Sequence, residues 1–134
     1  MNNHSFPSSE KLKSKQLFEL VFKTGKSLSA GPIKVFYLKI EKALNAPQVQ
    51  AGFAVPSRVF NKAHDRNLIK RRMRTAYQLL KHQLFVAEGN KTHAYAVVFL
   101  YTNRRIVDFD VVKQKISVLL DQLQKEPDFD TANS

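Results

Sequence analysis

The residues best suited to chemistry in this chain are cations concentrated between positions 58 and 74. This segment contains a single acidic residue, Asp65. Its Lys and Arg residues are Arg58, Lys62, Arg66, Lys70, Arg71, Arg72 and Arg74. Ordinary solvated helices intersperse acidic residues, because like charges four residues apart destabilise a helix and opposite charges stabilise it. Most charge runs are only solvated helix faces, but an imbalance this large favours a surface that binds a polyanion.

The charge of the whole chain indicates the same kind of partner. The 134 residues include 22 Lys and Arg against 11 Asp and Glu, a formal net charge of +11. Folding does not require this excess, so we take it as a sign of a partner. Nucleic acid is the first candidate, because each phosphate neutralised by a cation releases counterions. An acidic membrane surface or an acidic protein is the alternative.

Catalysis by the protein's own side chains and metal binding are both disfavoured. The four His residues have no metal-ligand spacing, and no carboxylate cluster could hold two metal ions. His64 and Asp65 are adjacent, so on a helix they point about 100° apart and do not form a catalytic pair. The chain has no Cys and no apolar run resembling a signal peptide or membrane span. We expect a cytoplasmic protein that itself binds no metal or cofactor.

The elements that position these residues follow from the hydrophobic pattern. It predicts one α+β domain over residues 1–134, in the order αββαβα, with helices packed on a single sheet. The predicted helices cover residues 10–24, 61–85 and 108–124. The predicted strands cover residues 33–40, 49–55 and 94–101, the second antiparallel to the first. We expect a capping Ser8 or Ser9, a stop at Gly25, a loop over 27–32, a turn at 88–90, and flexible tails over 1–9 and 126–134.

The second predicted helix separates a packing face from a cationic face. Its apolar stripe, long enough to lie across a sheet, consists of Ile69, Met73, Ala76, Leu80 and Leu84. The residues outside this stripe are Asn67, Lys70, Arg71, Arg74 and Lys81. Arg66 falls near the boundary between the two faces.

Aromatic residues form a second candidate site. Phe18 and Phe22 are four residues apart on the first predicted helix, a spacing that favours core packing. Only one of the strand neighbours Phe36 and Tyr37 can face the core, because strand side chains alternate. The functional alternative is a platform on which unpaired bases stack, worth about 1–3 kcal/mol per base. Three lysines lie nearby in the sequence: Lys23, Lys34 and Lys39.

Two consecutive segments resemble the bacterial ribonuclease P protein family. They are Gly52-Phe-Ala-Val-Pro-Ser-Arg58 and Lys62-Ala-His-Asp-Arg-Asn-Leu-Ile-Lys-Arg-Arg-Met-Arg74. The family has a strand ending in a Val-Ser-Lys-Lys-like turn, followed by a helix with the motif Arg-Asn-Arg-Ile-Lys-Arg-x-x-Arg. Phe18-x-x-x-Phe22, Gly25-Lys-Ser27, Tyr37, the third strand and the last helix occur in family order.

This resemblance implies a fold and a function. The fold is the one shared with domain 2 of ribosomal protein S5, with a mixed sheet and a left-handed βαβ crossover, contrary to the usual right-handed rule. The implied partners are ribonuclease P RNA, which carries the hydrolytic site and its Mg²⁺, and precursor tRNA. The protein would hold the 5′ leader between the first helix and the sheet, assisting its removal without a catalytic side chain. No membrane or protein partner is implied. A general structured-RNA-binding or ribosome-associated protein and a nuclease acting alone remain the alternatives.

The resemblance also implies residue roles. The residues expected to contact the catalytic RNA are Arg58, Lys62, Arg66, Asn67, Lys70, Arg71, Arg72 and Arg74. Those expected to contact the leader are Phe18, Phe22, Lys34 and Tyr37. This chain departs from the motif at Leu68, which replaces an Arg that Arg72 could compensate, and at Pro56-Ser57, which removes a turn Lys. The segment 58–63 is also one residue longer than the family pattern.

Overall fold

A four-stranded mixed sheet with helices on both faces positions the candidate residues. The computed structural model describes residues 8–42, 44–84, 93–127 and 129. The strands are β1 (Lys26–Ala30), β2 (Ile33–Glu41), β3 (Val49–Ala54) and β4 (His93–Tyr101). The helices are α1 (Lys15–Thr24), α2 (Ala63–Leu80) and α3 (Phe109–Gln124), with 3₁₀ turns at Ser8–Glu10 and Lys81–Gln83. These elements confirm the predicted α+β class. The turn predicted at 88–90 lies outside the described residues.

The order of the strands is β1-β2-β4-β3. β4 pairs antiparallel with β2 and parallel with β3, so α2 connects two neighbouring parallel strands. β2 and β3 therefore run in opposite directions, as predicted, but β4 lies between them. The left-handedness of the β3–α2–β4 crossover stays a prediction.

The two faces of the sheet bury different sets of residues. Alternate residues of β2 and β4, beginning with Ile33 and Tyr95, pack against α2 and α3 in the main core. The intervening residues pack against α1 in a smaller cluster that includes Val21, Ala96 and Val98. We call these the α2/α3 face and the α1 face. The predicted stripe is confirmed within α2, where Ile69, Met73 and Ala76 are buried and Leu80 is partly buried against the core. Leu84 also packs against the core, but from beyond the helix, which ends at Leu80 and is followed by a 3₁₀ turn, earlier than the predicted 85.

The predicted loop over residues 27–32 is wrong, because most of it forms β1. This strand pairs in register with β2 from Lys26↔Tyr37 to Ala30↔Ile33. Gly31, with a φ of 55°, lies in the turn that joins the two strands. β1 is an edge strand of mostly exposed residues, so it lacks the hydrophobic alternation by which a strand is recognised.

The start of α1 also differs from the prediction. Ser14, not Ser8 or Ser9, caps the helix, and its Oγ accepts a hydrogen bond from the Leu17 N–H at 3.1 Å. The preceding residues run along the sheet edge, where the Leu12 N–H donates to the Ala51 carbonyl at 3.0 Å. The predicted stop at Gly25 is confirmed by its N–H, which donates to the Val21 carbonyl at 2.9 Å.

The described part of the C-terminal segment is packed, contrary to the predicted flexible tail. Phe129 is 1% exposed, and its ring stacks on Tyr95 with centroids 4.2 Å apart. Glu126 accepts a hydrogen bond from the Tyr37 hydroxyl at 2.9 Å. An apolar ring in an otherwise acidic segment thus anchors the chain after α3 to the α2/α3 face. At the other end of the described chain, Ser8–Glu10 forms a 3₁₀ turn, and Glu10 forms an ion pair with Lys81 at 2.7 Å.

Candidate nucleic-acid interface

The outer face of α2 presents the predicted cations to solvent. Asn67, Arg71 and Arg74 are exposed and Lys70 is partly exposed. Together with His64 and Leu68 they line a shallow depression of about 270 Å³. The one acidic residue of the helix, Asp65, does not line this depression. The structure therefore brings four predicted contact residues together on one strongly cationic surface, which we call the α2 surface (Asn67, Lys70, Arg71 and Arg74).

Arg66 and Arg72 differ from the other α2 cations, because each donates to a backbone carbonyl of a neighbouring loop. Arg66 Nη1 lies 2.8 Å from the Phe60 oxygen, and Arg72 Nη1 lies 2.6 Å from the Val107 oxygen. They fasten the β3–α2 and β4–α3 loops to the helix. A guanidinium has five N–H donors, so each retains donors for another ligand. Leu68, which replaces the motif Arg, lines the depression described above, whereas Arg72 does not.

Phe18, Phe22 and Phe36 form what we call the aromatic cluster. The ring centroids of Phe18 and Phe22 are 5.8 Å apart, and those of Phe22 and Phe36 are 4.9 Å apart in an edge-to-face arrangement. The Lys34 ammonium lies 5.2 Å from the Phe36 ring centroid. All three rings are partly buried against Val21 and Val98. The core and platform interpretations are thus compatible, since each ring packs inward and keeps part of its surface accessible.

Gly52 determines how closely the aromatic cluster approaches the sheet. A Cβ at this position would lie 2.5 Å from Cε2 and 2.8 Å from Cζ of Phe18. The missing side chain lets the Phe18 ring lie directly on β3. Within the motif segment, Gly52 is therefore a packing residue for the first helix.

The structure does not place Tyr37 with the aromatic cluster, so its predicted position in the cleft is wrong. Tyr37 lies on the α2/α3 face, is 2% exposed and donates its hydroxyl to Glu126. Its neighbour Phe36 occupies the α1 face instead. Alternation along a strand requires the two side chains to point to opposite faces, and pairing of β2 with β4 decides which is which.

A groove joins the aromatic cluster to the α2 surface. It has a volume of about 320 Å³, and Phe18, Lys70 and Arg74 are among its lining residues. Lys11 and Lys13 also line it. Neither was predicted as a site residue, because both fall within the helix predicted over residues 10–24. Their signal was the alternation Lys11-Leu12-Lys13, in which Leu12 is buried and its neighbours are exposed, as on an extended segment.

The remaining predicted cations lie toward the start of α2. Lys62 is exposed directly before the helix. Arg58 is exposed in the β3–α2 loop and lines a separate concavity of about 680 Å³ that also includes Tyr101 and Arg104. Burial raises the pKa of Tyr101, and the hydrogen bond that its hydroxyl accepts from the Val107 N–H acts in the opposite direction. The hydroxyl therefore stays protonated at neutral pH and can donate a hydrogen bond.

Within the described ranges, no group of three or more His, Asp or Glu residues could hold a metal ion. Over the same part of the chain, no helix is long and apolar enough to cross a bilayer.

Comparison with known proteins identifies the family. The model of the family described as ribonuclease P matches residues 6–124. The chain belongs to the ribonuclease P protein family. A ribonuclease P protein component from Chlorobium phaeobacteroides is 32% identical over 130 residues, covering 90% of this chain and 89% of the relative. The chain is accordingly a protein subunit of ribonuclease P, the tRNA-processing ribonuclease, and has an RNA partner.

Solved ribonuclease P proteins have the same fold. The protein from Thermotoga maritima is 25% identical, with a TM-score of 0.63 over 84% of this chain and 96% of that one. The protein from Staphylococcus aureus, at 16% identity, superposes with a TM-score of 0.63 over 84% of this chain and 94% of that one. The fold class implied by the resemblance is therefore confirmed.

Proposed function

We propose that this subunit assembles with ribonuclease P RNA and holds the 5′ leader of precursor tRNA while the RNA removes it. The observation that carries this proposal is the groove between the aromatic cluster and the α2 surface. Through Phe18, Lys70 and Arg74 it joins a site suited to unpaired bases with a site suited to phosphates. One RNA-binding surface could therefore engage a folded RNA and a single strand at the same time.

The two parts of this surface suit different RNA structures. The α2 surface presents side-chain cations, which attract the closely spaced phosphates of folded RNA through counterion release. The aromatic cluster presents partly exposed rings, on which unstacked bases can lie. Bases inside a duplex are stacked on each other and cannot reach these rings. The leader of a precursor tRNA is the single strand that mature tRNA lacks.

In this proposal the RNA subunit holds the catalytic Mg²⁺ and hydrolyses the phosphodiester, and the protein binds no cofactor. The protein's cations reduce the repulsion between catalytic RNA and substrate, because they neutralise phosphates that Mg²⁺ would otherwise have to screen. We therefore expect the protein to lower the Mg²⁺ concentration needed for cleavage. The cytoplasmic location expected from the sequence remains a prediction.

The experiment is cleavage of a precursor tRNA at low Mg²⁺ by the protein alone, by the organism's ribonuclease P RNA alone, and by the two mixed. We expect activity in the mixture only. Activity of RNA-free protein would contradict the proposal and indicate a nuclease acting alone. An inactive mixture, with equal binding to unrelated structured RNAs, would support a general RNA-binding protein instead.

A further inference from the structure

The segment that precedes α1 forms one wall of the groove between the aromatic cluster and the α2 surface. We call residues 9–13 the strap. β3 is the last strand of the sheet, and the strap lies along its outer edge, where Lys11 forms a parallel bridge with Ala51. Leu12 is 7% exposed and packs in the cluster on the α1 face. Because side chains alternate along an extended segment, the exposed Lys11 and Lys13 point away from this cluster.

An ion pair attaches the strap to α2. Lys81 Nζ lies 2.7 Å from Glu10 Oε1, and Lys81 directly follows Leu80, the last residue of the helix. We call this pair the latch (Glu10 and Lys81). A carboxylate at the C-terminal end of a helix is unfavourable toward the helix dipole, so Lys81 compensates for the position of Glu10. The latch thus ties the strap to the same helix that carries the α2 surface.

The latch separates an acidic side chain from a cationic groove. Glu10 is adjacent to Lys11 in the sequence, yet only Lys11 lines the groove, because the Glu10 carboxylate is held against Lys81. The described residues that line the groove include no Asp or Glu. Its cations come from the strap on one side and from α2 on the other: Lys11, Lys13, Lys70 and Arg74. This distribution suits a polyanion that lies between the two walls.

We propose that Glu10 is a positioning residue for RNA binding, which acts through Lys11. The latch holds the strap so that Lys11 faces Lys70 and Arg74 across the groove, and the three cations bind backbone phosphates of one RNA strand from two sides. A strap fixed in advance loses less entropy when RNA binds. The phosphates belong either to the catalytic RNA or to the leader, which present the same chemistry. This inference rests on the proposed function and adds to it a residue that does not itself touch RNA.

The sign of the effect of Glu10→Gln tests this role. Removal of an acidic residue normally strengthens binding of a cationic protein to a polyanion. If the latch positions Lys11, Glu10→Gln should instead weaken RNA binding about threefold, although the protein gains positive charge. Glu19→Gln is the matched control, because Glu19 is exposed on α1 and its loss should leave binding unchanged or slightly stronger. Glu10→Gln that binds RNA as tightly as the parent, or more tightly, would overturn the inference.

A reversed latch and a double-mutant cycle show whether Glu10 acts through Lys11. Glu10→Lys combined with Lys81→Glu keeps the net charge and the ion pair, so it should restore the parent's affinity to within about twofold. Lys11→Ala should weaken binding about fivefold and lower the slope of log K against log salt by about 0.7–0.9. In the Glu10→Gln protein the same change should cost less than about twofold, because Lys11 is no longer held at the groove. Equal effects of Lys11→Ala in both proteins would contradict the proposed coupling.

Amide hydrogen exchange of the full chain separates release of the strap from a general loss of stability. The Leu12 N–H donates to the Ala51 carbonyl at 3.0 Å, so its exchange reports whether the strap is attached. In Glu10→Gln this amide should exchange about tenfold faster, whereas that of Val98 on the central strand β4 should not change. Partly exposed ion pairs contribute little to global stability, which is why the two amides should differ. Faster exchange at both positions, or at neither, would argue against a latch.

The binding assays have two arms, assembly of the protein with ribonuclease P RNA and binding of precursor and mature tRNA to the holoenzyme. Weaker assembly of Glu10→Gln would assign the phosphates to the catalytic RNA, and a loss confined to precursor tRNA would assign them to the leader. Equal loss for precursor and mature tRNA with normal assembly would contradict both assignments. If the parent protein itself fails to assemble with the RNA, the proposed function is wrong. If the parent assembles and Glu10→Gln matches it in both arms, only the positioning role of Glu10 falls.

Discussion

On the α2/α3 face, aromatic rings such as Tyr77, Tyr95 and Phe99 pack in a sealed core, whereas on the α1 face Phe18 and Phe22 remain partly accessible. Helix length explains much of this difference. α2 and α3 have 18 and 16 residues and together cover their face, but α1 has 10 residues and lies alone. Burial on the sealed face supplies most of the hydrophobic stabilisation, because that term scales with the apolar area removed from water. The α1 face retains accessible aromatic surface.

The largest effect should come from opening the sealed face with Phe99→Ala. Phe99 is fully buried, and its ring centroid lies 5.6 Å from those of both Phe53 and Tyr77. Its removal should lower the free energy of unfolding by about 3–5 kcal/mol, measured by urea denaturation. Leu20→Ala on the exposed side of α1 is the control and should change stability by less than about 1 kcal/mol. Similar losses for the two variants would contradict the assigned difference between the faces.

A smaller loss of stability is expected from Phe129→Ala, which tests whether the C-terminal segment belongs to the sealed face. Loss of the stack on Tyr95 should cost about 2 kcal/mol in the same denaturation experiment. Tyr37→Phe, which removes the hydroxyl that donates to Glu126, should cost about 1 kcal/mol. A Phe129→Ala protein as stable as the parent would restore the prediction of a flexible tail.

On the α1 face, Phe22→Ala should affect binding more than folding. Loss of its partly exposed ring should weaken binding of precursor tRNA to the holoenzyme about tenfold and leave mature tRNA binding nearly unchanged. The free energy of unfolding should fall by less than in Phe99→Ala, because the ring is only partly buried. Equilibrium binding with the two tRNAs measures the difference. If binding of both tRNAs weakened equally, the aromatic cluster would not be the site that binds the leader.

The smallest effects should separate the neighbours Arg71 and Arg72. Arg71→Ala should weaken assembly with ribonuclease P RNA, lower the salt slope by about 0.9 and change stability by less than about 0.5 kcal/mol. Arg72→Ala should instead lower stability by about 1–2 kcal/mol, because the Val107 carbonyl loses its donor. Filter binding over a salt series and urea denaturation distinguish the two. If the Arg71→Ala protein assembled with the RNA as well as the parent, the α2 surface would not be part of the RNA interface.

Much of the architecture was predictable because the pattern of side chains was strong. The apolar stripe of α2 and the apolar run of β4 have the periods of a helix and of a buried strand, and both elements form, although α2 ends at Leu80, earlier than predicted. β1 was missed because an edge strand of exposed residues has no such pattern. Local sequence patterns could not predict the order of the strands either, because nothing in the sequence of β3 indicates that β4 lies between β3 and β2.

The sequence by itself determined the chemistry available to this protein: a cationic helix with its charge on one side, a Phe pair one helical turn apart, and no cluster of metal ligands. Tertiary structure decided which residues share a surface. Pairing of β2 with β4 turned Phe36 toward α1 and buried Tyr37, and loop carbonyls engaged Arg66 and Arg72 while leaving Arg71 exposed. The reason is physical. Local periodicity specifies only the relative directions of neighbouring side chains, whereas register and loop contacts depend on residues distant in the chain.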